Sequence, residues 1–271
     1  MNSLTVIITT YNRPDALSAV LAGYLAQRDS NFEMIVADDG STSETARVVA
    51  QYKARADFKI THVRQEDRGF RAGAIRNRAL AGSSADYIVF SDGDCIPLPH
   101  FIAQHRRLAE AGWFLAGNRI LMNEPFTRQV LGQGLSIHGW TARRWLTAAM
   151  TGQINRFIPL WPLPVAASLR KIPAGRWEGV MTCNLSAWRS DLLQINGFDE
   201  SYSGWGLEDS DLVIRLLRSG VNHKSARFAA PVLHLWHRDN DRGGLAENRR
   251  RLQDVLHSER VSAEQGVAQY L

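Results

Sequence analysis

Three carboxylates and a tryptophan crowd the start of one helical stretch, GWGLEDSDLVIRL, from Gly204 to Leu216. Leu212, Val213, Leu216 and Leu217 recur at helical spacing, and acids in a first turn are favoured by exposed N–H groups and the helix dipole. On those grounds alone Glu208, Asp209 and Asp211 cap a helix that Gly220 ends. The same residue types can also do chemistry, because a carboxylate within reach of a hydroxyl takes its proton as that oxygen attacks. A second acidic pair, in SDGDC, sets Asp92 and Asp94 two apart directly after an apolar run, so that both aim at one small volume. Paired carboxylates repel unless a cation lies between or beside them, and a hard divalent ion such as Mg²⁺ or Mn²⁺, bridging phosphate oxygens, suits them. The competing reading is a plain turn, since Asp and Gly populate turns after strands. HLWH places His234 and His237 three apart near a late strand end. With a strand-end carboxylate they make a mixed oxygen and nitrogen site acceptable to Mn²⁺; in isolation they read as surface or core residues.

Such groups need elements to position them. LTVIITT is a β-rich apolar run, and Leu17, Val20, Leu21, Tyr24 and Leu25 mark a helical face behind Pro14. FEMIVAD reads as the next strand, and STSE, Ser41 to Glu44, has capping-box spacing ahead of Thr45, Val48, Val49 and Tyr52. KITHVRQ, a helix from about Arg71 to Ala81, and DYIVFSD complete four strand-helix units. That alternation predicts a mostly parallel sheet covered by helices on both faces, with ligands bound beyond the carboxyl ends of the strands. The residues just past those ends are polar: Thr9 to Arg13, Asp38 to Gly40, and Asp92 to Asp94. No GxGxxG follows the first strand, where TTYNRP stands instead, which argues against dinucleotide binding and against a nucleotidyltransferase with a Gly-rich phosphate loop. Later come a strand in VMTCNLSAW, a short helix in DLLQI, the acidic helix, a strand in APVLHLWH and a basic C-terminal helix.

The chain has 271 residues, 45% of them hydrophobic and 22% charged, which predicts a folded globular protein. Its start shows no basic region followed by a long apolar run, and no window reaches membrane-spanning length, so a soluble, cytoplasmic protein beginning on its first strand is expected. The two cysteines, Cys95 and Cys183, lie in separate motifs, which suits reduced thiols better than a disulfide framework and excludes a zinc finger. A net charge of +5 is spread along the chain, compatible with a nucleotide, a phosphorylated glycan or an anionic membrane as partner. Residues 123–178, including RRWLTAAMTGQINRFIPLWPLPVAASLRKIP, carry no recognised motif. They read either as an insertion packing its own aromatics or as an amphipathic surface for a membrane or an acceptor.

Taken in order, TTYNRP, ADDGS, RGFRAGAIRNRAL, SDGDC and GWGLEDSD resemble the motifs of a family 2 glycosyltransferase of GT-A fold. WGxED followed by HLWH is similar to the branch of chondroitin-polymerase-type and β-1,4-galactosyltransferase enzymes. The resemblance covers roughly residues 4–122 and 177–240, and TCNLS, Thr182 to Ser186, departs from the family's acceptor loop so that only Asn184 and its neighbours carry over. It implies an α/β, Rossmann-like sheet, with a nucleotide-sugar half over 1–122 and an acceptor-binding and catalytic half over 123–271 in one continuous unit. Thr9, Tyr11, Arg13 and Asp39 would hold the uridine end of a UDP-sugar, Asp39 accepting from the base, with Arg71 and Asp92 on the diphosphate and ribose side. Asp94 would bind Mn²⁺ or Mg²⁺, joined by His237, with His234 as a further candidate. Asp209 would be the base of an inverting transfer, Glu208 would bond sugar hydroxyls, Trp205 would form an acceptor platform, and Asp211 would remain a first-turn acid. The implied reaction moves galactose or N-acetylgalactosamine to a hydroxyl of a cell-surface glycan such as lipopolysaccharide or capsular polysaccharide, free or lipid-linked. The alternatives are a glucosyl- or N-acetylglucosaminyltransferase and a catalytically idle UDP- or glycan-binding module. Nucleic acid is not an expected partner; peripheral contact with the inner face of the membrane is.

Overall fold

The computed structural model describes residues 3–161, 165–173, 175–239 and 241–271. The chain first alternates β1 (Leu4–Thr10), α1 (Pro14–Leu25), β2 (Glu33–Asp38), α2 (Ser43–Lys53), β3 (Ile60–Arg64), α3 (Ala72–Ala81) and β4 (Tyr87–Asp92), as the periodicity predicts. There follow β5 (Cys95–Pro97), α4 (Phe101–Leu108), β6 (Trp113–Ala116), β7 (Arg119–Leu121), α5 (Glu124–Gln133) and α6 (Ala142–Met150). The last part holds β8 (Asn184–Trp188), α7 (Arg189–Gln194), α8 (Glu208–Arg218), β9 (Asn222–Ser225), β10 (Val232–His234) and α9 (Leu245–His257).

A seven-stranded sheet in the order β3-β2-β1-β4-β8-β6-β9 forms the centre, and a three-stranded sheet β5-β10-β7 lies beside it. The first four strands of the large sheet pair in parallel, β8 runs antiparallel to both neighbours, and β9 is parallel to β6. The expectation of a mostly parallel, doubly covered sheet therefore holds. Leu4, Val6 and Ile8 of β1 face the apolar layer of α1, while Ile7 faces the layer that holds Ile75 of α3 and Leu212 of α8. Both faces being buried explains the unbroken apolar strand runs.

Register decides what meets at the sheet's edge. Thr10 of β1 lies opposite Asp38, Thr9 opposite Asp92, and Ser91 opposite Asn184 at the start of antiparallel β8. The ends of three parallel strands and the beginning of β8 thus share one edge, and His234 of β10 pairs with Cys95 beside it.

Two details differ from expectation. The STSE capping box does not form: α2 is N-capped by Thr42 without a side-chain bond. Ser41 is drawn elsewhere, its N–H donating to Asp38 Oδ1 at 2.7 Å and its Oγ accepting from the Asn12 N–H at 2.9 Å. The strand read over VMTCNLSAW is confined to Asn184–Trp188, because the preceding residues form the loop that reaches α8. In the 123–178 stretch Trp140 packs between Phe126 and Trp145, with ring centroids at 5.5 and 5.1 Å, so the insertion does bury its own aromatics. Leu146, Met150, Ile158, Trp161 and Leu169 nonetheless stay exposed, and residues 162–164 and 174 of that stretch lie outside the described ones. Among the described residues no helix is long and apolar enough to cross a membrane.

Candidate active site

The turn Asp92–Asp94 is shaped by its glycine. A Cβ on Gly93 would stand 2.8 Å from the Thr10 hydroxyl, and the Gly93 N–H donates to the Thr9 carbonyl at 2.7 Å, so β1 and β4 close around a position that tolerates no side chain. Past the turn, the Leu235 N–H donates to the Asp94 carbonyl at 2.9 Å and clips β10 to it. Asp94, His234 and His237 consequently come together: one ligand atom from each lies within 4.8 Å of the others, with His237 Nε2 3.4 Å from Asp94 Oδ2. His237 Nδ1 lies 2.7 Å from the Arg238 carbonyl, an acceptor, so the proton belongs on Nδ1 and the Nε2 lone pair is directed to the carboxylate side. Burial lowers the pKa of His234 despite Asp94, which keeps that imidazole in its ligating, neutral form. One carboxylate with two imidazoles is a donor set that fits Mn²⁺ and, less well, Mg²⁺.

Arg76, from the middle of α3, is the hub that sequence reasoning missed. Its guanidinium is buried and donates to Thr9 Oγ1 at 3.0 Å, Asp92 Oδ1 at 3.1 Å and Glu208 Oε1 at 3.2 Å, with Asp209 Oδ1 at 3.6 Å. Burial works against that charge, but Asp92, Asp209 and Glu208 more than offset it and raise its pKa. The carboxylates are not fully neutralised in return. Burial lifts Asp92 to about 6 and Glu208 to about 7, with Asp94 adding to the first and Asp209 to the second. Asp92, Glu208 and Asp209 around one guanidinium, with Asp94 beside Asp92, leave a surplus of negative charge, which a divalent cation would balance.

The N-terminus of α8 reaches this hub through a strained turn. Gly204, Gly206 and Leu207 have φ of +73°, +105° and +78°, the last in the left-handed region that costs a non-glycine residue roughly 1–2 kcal/mol. Leu207 packs against Ile214, Leu252 and Val255, and Asn248 of α9 donates to the Ser203 and Gly206 carbonyls at 3.2 and 3.0 Å. Both Asp209 oxygens are then held by Thr182, from its N–H at 3.0 Å and its hydroxyl at 2.6 Å. Asp211 is not the surface acid expected of a first turn: it is wholly buried and ion-paired with Arg215, whose other nitrogen donates to the Ile195 and Gly197 carbonyls at 2.7 and 2.8 Å. Its role is to keep a buried guanidinium charged while that guanidinium ties α8 to the loop after α7. Asn184 is likewise buried and structural, donating to the Ala230 carbonyl at 2.6 Å.

The remaining residues line the β1 and β2 ends. Asp39 Oδ2 accepts from the Arg71 N–H at 2.7 Å and Oδ1 from the Gln65 amide, and burial raises its pKa. Tyr11 is exposed and donates to Asp67 Oδ2 at 2.9 Å. Arg71 bonds the Glu66 carbonyl through its guanidinium. Arg13 pairs with Asp15 at 3.0 Å in the first turn of α1. Trp205 is 38% exposed, with the Arg242 guanidinium 5.4 Å from its ring centroid.

The chain is similar to known proteins in sequence and in fold. The model of the family described as Glycosyl transferase family 2 matches residues 5–157, and that described as N-terminal domain of galactosyltransferase matches 165–238. A validoxylamine A glucosyltransferase of Streptomyces hygroscopicus is 31% identical over 228 residues, 80% of this chain and 48% of that protein. A chondroitin synthase of Escherichia coli is 32% identical over 241 residues, 84% of this chain and 34% of that protein. The chain therefore spans about half or less of the length of these relatives. In fold it is similar to Staphylococcus aureus TarS residues 1–349 in complex with UDP, with a TM-score of 0.63 and 15% identity over 99% of this chain and 68% of that one.

Proposed function

From the premise that the chain belongs to glycosyl transferase family 2, we propose that it is an inverting, metal-dependent hexosyltransferase, moving galactose or N-acetylgalactosamine from a UDP-sugar to a hydroxyl of a cell-surface polysaccharide or lipopolysaccharide. The observation that carries this reading is an unbroken run of contacts: Arg76 binds Asp92 on one side and Glu208 and Asp209 on the other, and Asp94, two residues past Asp92, gathers with His234 and His237.

In this reading residues 1–122 form the nucleotide-sugar half and 123–271 the acceptor-binding and catalytic half. Asp39 has one acceptor position on each oxygen already used, leaving others for the uracil N–H, with Thr9 and Tyr11 beside the nucleoside. Arg71 and Asp92 face the diphosphate and ribose. Asp94, His237 and His234 would hold Mn²⁺ or Mg²⁺, whose charge would stabilise the departing diphosphate. Asp209, oriented by Thr182, takes the proton of the acceptor hydroxyl as that oxygen attacks the anomeric carbon, and a single base on one face gives inversion. Glu208, titrating near neutrality, can donate to or accept from a sugar hydroxyl, and the open ring of Trp205 supports the acceptor. Arg76 keeps this cluster of acids together without itself meeting the sugar.

The match to a galactosyltransferase domain over 165–238 supports the galactosyl choice, whereas the validoxylamine relative, a glucosyltransferase, supports the second reading of a glucosyl or N-acetylglucosaminyl donor. Exposed Leu146, Met150, Ile158 and Trp161 among Arg143, Arg144, Arg156 and Lys171 support peripheral contact with an anionic membrane carrying the acceptor, which flotation with anionic vesicles tests.

The deciding experiment is release of UDP from a panel of UDP-sugars with and without Mn²⁺, in the wild type, Asp94→Ala and Asp209→Asn. Metal-dependent release from one donor, lost in Asp94→Ala, is the expected result. Binding of UDP with no turnover of any donor, even with glycan acceptors supplied, would instead identify a binding module.

A further inference from the structure

Beside the donor end of the sheet lies a second group of metal-ligating atoms, in which Asp92 is joined by two thiols that the proposed reaction does not use. One ligand atom each from Asp92, Cys95 and Cys183 lies within 4.8 Å of the other two. Topology makes this meeting. β8 runs antiparallel to β4 with Asn184 opposite Ser91, so Cys183 arrives where β4 ends, and Cys95 opens β5 just past the Asp92–Asp94 turn. Both thiols are buried and unbridged, while the Asp92 side chain is 32% exposed and engages Arg76 through Oδ1.

We propose that Asp92, Cys95 and Cys183 form a binding site for a thiophilic divalent cation of the Zn²⁺ and Cd²⁺ class, separate in its ligands from the Asp94, His234 and His237 group. Two sulfurs and one carboxylate oxygen make a three-ligand site with room for a fourth donor, and sulfur selects softer ions than Mn²⁺ or Mg²⁺. Occupation has a consequence on both sides of Arg76. It puts a cation on the carboxylate that Arg76 holds through Oδ1, competing for the same negative charge, and it fixes Cys183, the neighbour of the Thr182 that holds Asp209. Such an ion is therefore an inhibitor of donor binding. That inhibition rests on the nucleotide-sugar reading above; the thiol site does not.

The test is a Cd²⁺ titration of the whole chain in a thiol-free reductant, followed by the ultraviolet sulfur-to-cadmium charge-transfer band that oxygen and nitrogen ligands do not produce. The wild type should give a band that saturates with a single bound ion, and Asp94→Ala should keep it. Cys183→Ser and Cys95→Ser should each weaken the apparent affinity at least ~10-fold, with circular dichroism checking their fold and Cys183→Ala as a second variant. No band in the wild type, or a band that survives both serine substitutions, overturns the site. UDP binding, measured separately, should weaken when Cd²⁺ is present. UDP binding that Cd²⁺ leaves unchanged overturns the inhibition, whereas failure of UDP to bind under any condition overturns the nucleotide reading and leaves the thiol site standing.

Discussion

At the residue scale the site is governed by one guanidinium and one hydroxyl, and the motifs that contain them, RGFRAGAIRNRAL and TCNLS, pointed to a role for neither. Arg76 occupies the buried face of α3 amid Ala72, Gly73 and Ala79, and a lone arginine among small residues on an apolar face was the available signal. Its acids were legible because two of the pairs lie close in sequence; their shared partner was not, because α3 and α8 meet only in the fold. Replacing Arg76 by Met leaves buried carboxylates unpaired, a change that costs about 3–5 kcal/mol in comparable pairs, and denaturant unfolding should show it alongside loss of turnover. Thr182→Val removes the hydroxyl bond to Asp209 while leaving its N–H. A fall in kcat of roughly 10- to 100-fold with little change in KM, restored by Thr182→Ser, is expected if orientation of the base is what the hydroxyl supplies. Glu208 adds a pH dependence: its carboxyl is raised from 4.5 to about 7 in the folded chain. The folded state then holds a proton that the unfolded state has released, so this contribution is complete below pH 4.5 and is lost as pH rises through about 7. Without metal, unfolding free energy should fall by on the order of 1–3 kcal/mol over that window, and Glu208→Gln should flatten the slope.

At the scale of elements, what was legible followed from period. The strand-helix alternation of the first third is written in apolar spacing, and every element predicted there exists. Caps and tertiary braces were less legible, because a short polar side chain has several partners to choose from. Ser41 serves the loop after β1 rather than its own helix, and Asp211, spaced like any first-turn acid, turns inward to Arg215. The α8 pattern did contain a hint: Arg215 lies four residues after Asp211 and next to Leu216, on the face toward the core. Since both side chains are fully buried, Asp211→Asn should destabilise the fold by about 3–5 kcal/mol, whereas Asp211→Leu combined with Arg215→Met should cost less than the sum of the single changes. Chemical denaturation of the four species measures that coupling; strict additivity would mean that the two groups do not depend on each other.

At the scale of the whole molecule, the candidate ion site joins parts that no short motif links. Asp94 follows β4 of the large sheet, whereas His234 ends β10 in the small one and His237 lies in the loop beyond. Sequence spacing could nominate all three residues, but only the antiparallel pairing of Cys95 with His234 explains why they converge. An ion bound there would clip the two sheets together, so it should stabilise the fold without being required for it, since the surrounding core is closed by apolar packing from both faces. Mn²⁺ at ~100 times its Kd should raise the unfolding free energy by about 2.7 kcal/mol. Chelation should remove that increment and abolish turnover while the far-ultraviolet circular dichroism stays native. Asp94→Ala should show neither increment nor turnover at any Mn²⁺ concentration. Loss of native structure on chelation would instead make the ion structural, and an increment that survives Asp94→Ala would move the ion away from the two histidines.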